Sequence, residues 1–183
     1  MKVLFFAGPD NWACEKIFRR RYSGEEFRSV PATDDPEAFY LAVQAFAPVG
    51  LLLIGTHGGP GSFLLIKGQE ENARPGCDVG YEAGTRHTHP ADSGRRIRPY
   101  LAPGCVIAMV SCSVAAGPLG RTFIMALSAG TGQTVIAADA NVVVETVGSE
   151  TVNVKAPGGR VWRTTDGSAP EEVGGRGGRF PAF

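Results

Sequence analysis

Two residues of this chain have the types and the setting for nucleophilic chemistry. His57 follows the apolar run Gly50-Leu-Leu-Leu-Ile-Gly-Thr and opens the string His57-Gly58-Gly59-Pro60-Gly61. Cys112 follows a second apolar run, Val106–Val110, and Ser111. A thiol near neutral pH is mostly protonated and becomes a nucleophile only beside a base or in a positive field. Histidine is the natural base, since its ordinary titration range spans physiological pH. Acyl transfer also needs donors for the developing oxyanion. The backbone N–H groups of Gly58 and Cys112 are the candidates, and Gly58 has no Cβ to keep a substrate carbonyl away. Each residue alone has an ordinary reading: a cysteine after a strand is often a small core residue, and a histidine among glycines is often part of a turn. The weight lies on the ordered pair, apolar strand then His-Gly, apolar strand then Cys.

The rest of the sequence supplies elements able to hold that pair. Val3–Phe6, Phe27–Val30, Val49–Ile54, Val106–Val110 and Thr134–Ala138 are short apolar runs that read as strands. Between them, Trp12–Tyr22, a segment from Pro36 through Phe46, Arg95–Leu101 and Leu119–Ser128 read as helices. Trp12, Ile17 and Phe18 are expected on the buried side of the first helix, and Phe39, Leu41, Ala42, Val43 and Phe46 on that of the second. Strands alternating with helices imply a mostly parallel sheet between helical layers. Functional groups in such sheets gather at the carboxyl ends of the strands, where both His57 and Cys112 fall. Phe63–Ile66 reads as a short edge strand, and Lys67–Ser93 as a polar, Gly-rich loop insertion bordering the site. From Val142 the pattern changes: Thr151–Lys155 and Arg160–Thr164 read as a β-hairpin turning at Gly158-Gly159, followed by a poorly ordered Gly-rich tail from Gly174. Residues 1–140 are thus expected to form the catalytic core, and 141–183 a C-terminal hairpin and tail of the same domain.

Bulk properties narrow the classes. The 183 residues fit one domain of ordinary size, 43% hydrophobic and 20% charged. Eighteen basic and eighteen acidic residues cancel, so nothing in the net charge favours nucleic acid or an anionic membrane. The apolar start ends at Pro9-Asp10-Asn11, too soon for a secretory signal, and reads as a first strand. No stretch is long enough to span a bilayer. The four cysteines form no CxxC pair and no zinc spacing. Free thiols and a cytoplasmic setting are the expectation, with export by a signal-independent system as an alternative.

The segments Gly50–Ser62, with His57-Gly58-Gly-Pro-Gly-Ser62, and Cys105–Gly117, with Cys112-Ser-Val-Ala-Ala-Gly117, resemble the histidine and nucleophile motifs of caspase-like cysteine peptidases. That family includes caspases, gingipains, separase, CHAT domains and the self-processing protease of RTX toxins. The resemblance covers about Val49–Asp139 and is nearest to bacterial caspase-like domains. It implies an α/β caspase-like three-layer sandwich and a cysteine endopeptidase with His57 as base and Cys112 as nucleophile, acting on a protein or peptide, itself included. Ser111 precedes the nucleophile where caspases carry Gln-Ala, and no two-chain processing site is evident. The tail is similar to the ends of some bacterial toxin domains, which implies an effector role and an activator or immunity protein as further partner.

Acidic groups near the site would select a basic side chain, as they do in gingipain-like relatives. Asp139, just past the strand after the nucleophile helix, is the first candidate and Asp10 the second, although both also suit a cap or turn. Cys77, His87, His89 and Asp92 lie together in the long loop, but in no defensible ligand pattern; no metal and no cofactor are expected. Two other readings stay open. One is another cysteine-dependent acyl-transfer enzyme: amidotransferases place cysteine before histidine, and Gly59-Pro60-Gly61-Ser62-Phe63 is no hydrolase elbow. The other is an inactive caspase-like binding module.

Overall fold

The computed structural model describes residues 1–8, 12–33, 35, 37–64, 79–80, 89–147, 151–175 and 177–183. Asp10, Cys77 and His87 lie outside them, as does most of the Lys67–Ser93 insertion.

The sheet is built on runs that are apolar at nearly every position, as strands covered on both faces must be. Its strands are β1 (Lys2–Ala7), β2 (Glu26–Pro31), β3 (Val49–Gly55), β7 (Leu101–Met109), β8 (Thr134–Ala138), β11 (Val161–Thr165) and β12 (Glu171–Glu172). They lie in the order β12-β11-β8-β7-β3-β1-β2. From β2 to β8 neighbouring strands are parallel, and β11 and β12 are added antiparallel. The helices are α1 (Trp12–Arg21), α2 (Glu37–Ala45), α3 (Pro90–Ile97) and α4 (Gly117–Thr131). Two small sheets complete the fold: β4 (Gly58–Gly59), β5 (Ser62–Leu64) and β6 (Val79–Gly80), and the antiparallel pair β9 (Val143–Val147) with β10 (Thr151–Lys155).

Strand alternation divides the core into two layers. Leu4, Phe6, Leu52, Ile54, Ile107, Met109, Val135 and Ala137 face α2, α3 and α4, meeting Phe39, Val43, Ile97, Phe123 and Leu127. Val3, Phe5, Leu51, Leu53, Ala108 and Val110 face the other way, onto Phe18 of α1, Tyr22 just past its end, and Val152 and Val154 of β10. The result is a mixed α/β sandwich of three layers around a mostly parallel sheet. No helix among the described residues is long and apolar enough to cross a membrane.

Several boundaries differ from the sequence reading, each for a local reason. The hairpin expected from Thr151–Lys155 and Arg160–Thr164 does not form. Thr151–Lys155 pairs instead with Val143–Val147, while Val161–Thr165 pairs with β8 and widens the central sheet. Residues 141–183 are therefore no appendage, because Val161 and Ala156 bury with Ile136 and Ala138. The tail is also held: the Ala156 N–H donates to the Gly178 carbonyl (2.8 Å), the Phe180 N–H to that of Val154 (2.9 Å), and the Tyr22 hydroxyl to that of Phe183 (2.9 Å).

Helix α3 starts at Pro90, inside the segment read as loop. His89 caps it, Nδ1 accepting from the Ala91 N–H at 3.3 Å. Its contact with α4 is made by small residues that carry no apolar signature. A Cβ at Gly94 would stand 2.8 Å from the Leu127 carbonyl oxygen, and one at Gly130 would stand 2.2 Å from that of Ala91. Strand β7 starts at Leu101, before the expected Val106, and β5 belongs to the small sheet beside the site. On α2, Leu41 is exposed while Phe39, Ala42 and Val43 are buried. The helix buries a narrower stripe than its composition suggests.

Candidate active site

Strands β3 and β7 lie side by side and parallel, so their carboxyl ends reach the same edge of the sheet. Ile54 faces Met109, an offset of 55 residues, and the same offset carries His57 to Cys112. Both strands have ended by then, at Gly55 and Met109, but the two exit segments stay together. The Ser111 hydroxyl donates to the Ile54 carbonyl (3.1 Å) and accepts from the Thr56 N–H (3.3 Å). The Gly61 N–H donates to the Val114 carbonyl at 3.0 Å. A Cβ at Gly58 would sit 2.8 Å from the Cys112 carbonyl oxygen and 2.8 Å from Val114 Cγ2. The glycine after His57 is therefore required by the turn that carries Cys112, a closer constraint than the substrate approach read from the sequence. Residues 56–61 and 111–114 form one packed unit, with His57 and Cys112 half-buried within it.

The turn after β7 has its own features. Ser113 adopts φ of 57°, a left-handed conformation that L side chains other than Asn and Asp seldom take. Its N–H donates to the Ala140 carbonyl (2.9 Å), and the Ala115 N–H donates to that of Ala138 (2.8 Å). These bonds fasten the Cys112 turn to the end of β8 and so offset the strain at Ser113. The Val142 N–H points at the Cys112 sulfur, 3.4 Å away. Gly58 faces Phe63 in the short β4–β5 pairing.

The other described cysteines are different. Cys105 is buried, and desolvation pushes its thiol up to about 12; burial also raises Cys14. All three described cysteines are free.

Asp139 lies at the carboxyl end of β8, on the site's edge. Its Oδ1 accepts from the Arg160 N–H (2.6 Å) and its Oδ2 from the Trp162 indole (3.0 Å). Both oxygens thus already serve the fold, and a basic substrate side chain would have to share them. His89 caps α3, and Asp92 pairs with Arg95. Among the described residues no cluster of three metal-ligating side chains occurs. Two surface grooves, of about 220 and 520 Å³, lie elsewhere: one between α1, β10 and the tail, the other at the amino ends of β1, β3 and β7.

Sequence reasoning missed two contributors. Ser111 was visible as a polar residue at the offset of Thr56, and that register would have found it. The Val142 N–H is a backbone group and leaves no trace in residue type. Neither a protein-family model nor a curated protein sequence matches the chain.

Proposed function

We propose that the chain is a cysteine endopeptidase of caspase-like type, with Cys112 as nucleophile and His57 as general base. The observation that carries the reading is the packing of the two exit segments. The register of β3 and β7, the Ser111 strap and the close approach of Gly58 to Cys112 place the only strand-end histidine and cysteine of the described residues at one edge. Cleavage follows from the chemistry of those groups. His57 takes the thiol proton, and the sulfur attacks the peptide carbonyl carbon, whose oxygen becomes an anion held by backbone N–H groups, that of Cys112 first. The C–N bond breaks as the histidine returns the proton to the departing amine, leaving a thioester. Water, deprotonated by His57, then releases the acid and restores the thiol.

Digestion of a peptide library by the wild type, with Cys112→Ala as control, tests the proposal. Cleavage products absent from the control are expected. Products of equal yield in both, or none from the wild type across neutral pH, would refute it.

A further inference from the structure

Segment 139–142, between β8 and β9, touches Cys112 from the side opposite the β3 exit, and its residues point alternately to two partners. Ala138 and Ala140 turn their carbonyls to the Ala115 and Ser113 N–H groups of the nucleophile turn. Asp139, between them, turns to β11: its N–H donates to the Arg160 carbonyl (3.0 Å), and its carboxylate holds the Arg160 N–H and the Trp162 indole. Three residues after Asp139, the Val142 N–H reaches the sulfur. Even the following turn is shaped to this arrangement, since a Cβ at Gly159 would stand 2.7 Å from Asp139 Oδ1 and 2.3 Å from the Ala140 Cβ. The Trp162 ring is itself covered by the Arg121 guanidinium of α4, 5.2 Å from its centroid.

We propose that Asp139 and Trp162 are positioning residues, which fix segment 139–142 so that the Val142 N–H stays on the Cys112 sulfur and stabilises its thiolate. The inference rests on the reading of Cys112 as nucleophile and assigns Asp139 a task other than binding substrate. Charged and titratable groups on the described elements adjoining segment 139–142 and the Cys112 turn include His57 past β3, Asp139 past β8, Arg160 just before β11, Arg121 on α4, and Glu145 of β9, which pairs with Lys155 of β10.

Two roles for Asp139 differ in sign. As a bare negative charge it would oppose formation of a second anion nearby, so neutralising it would make Cys112 ionise more easily. As an anchor it keeps the donor in place, so the same change would make ionisation harder. Trp162→Phe removes the indole donor and leaves the carboxylate charge, isolating the anchoring role.

The test is the rate–pH profile for alkylation of Cys112 by iodoacetamide, followed by peptide mass mapping on the full chain, with protection of Cys105 reporting an intact fold. For Asp139→Asn the profile moves to higher pH and the rate at pH 7 falls roughly tenfold, the worth of one hydrogen bond to a charged atom. An unmoved profile, or one moved to lower pH, overturns the inference. If Asp139→Asn leaves Cys105 unprotected, Trp162→Phe decides: a profile moved up supports the anchor, and an unmoved one overturns it. Peptide cleavage is scored separately. Wild-type Cys112 that alkylates but cleaves nothing refutes the peptidase while the profile still decides the positioning role.

Discussion

Cys105 and Cys112 belong to one stretch of chain, the first inside β7 and the second three residues beyond its end, yet they live in different chemical worlds. Cys105 is sealed among core side chains, where burial makes the thiolate costly and holds the thiol protonated. Cys112 sits in a turn whose backbone is strained at Ser113, braced by β8 and supplied with an N–H donor at its sulfur. Residue type is the same in both, and seven positions along the chain convert a packing atom into a candidate nucleophile. The difference comes from where the strand stops, since a parallel strand buries its middle and presents its carboxyl end.

The two cysteines should differ most in activity. Cys112→Ala or His57→Ala should lower kcat/KM for peptide cleavage by at least about a thousandfold, whereas Cys105→Ala should keep most of the activity and lose stability alone. Steady-state kinetics on the three purified variants check this, and equal losses at both cysteines would erase the distinction.

Gly58→Ala is expected to come next. Its new Cβ collides with the Cys112 carbonyl and Val114, so the turn must shift. A cost of roughly 1–3 kcal/mol in stability and about a tenfold or greater loss of activity should follow. Urea unfolding and kinetics on one preparation measure both. Full activity would mean that the two exit segments are less closely joined than described.

Cys105 should also show itself in the pH dependence of stability. Its thiol is raised by burial from an ordinary 9.0 to about 12. Between those values the unfolded chain has given up a proton that the folded chain keeps, so stability must fall as pH rises. The contribution is complete below about pH 9 and is lost towards pH 12. Wild type should therefore lose about 1.4 kcal/mol more than Cys105→Ala between pH 8 and pH 10. Cys14 and Tyr22, also raised by burial, are present in both chains and cancel. Parallel slopes in denaturant titrations at the two pH values would show that Cys105 is hydrated in the fold.

The smallest effect is expected at the strap. Ser111→Ala removes the bonds to Ile54 and Thr56 and should cost about 1 kcal/mol, visible as a lowered Tm. A Tm equal to that of the wild type would show the β3 and β7 exits to be held by other contacts.

Much of this was legible in the sequence because strong signals coincide. Apolar runs such as Val49–Ile54 can hardly be anything but buried strands, and a His or Cys placed just beyond them inherits a position at the sheet edge. The second half of the chain was less legible. Val161–Thr165 has the alternation of a hairpin strand, yet alternation says nothing about which neighbour it pairs with, and burial of Val161 beside Ile136 and Ala138 won. Helix α3 was hidden because it packs through Gly94 and Ala91, whose value lies in the absence of side chain. Asp139 looked like a substrate-facing acid because a carboxylate at a strand end suits that task. Only the fold shows its oxygens turned to Arg160 and Trp162.

Cys112, and not its neighbour in the core, is the proposed nucleophile, activated by His57. The most direct measurement is covalent capture by a peptide ending in an electrophilic ketone, with the labelled position read by mass spectrometry in wild type and His57→Ala. One label per chain is expected, on Cys112, formed at least about tenfold more slowly without His57. Labelling spread over Cys14, Cys105 and Cys112, or a Cys112 rate indifferent to His57, would contradict it.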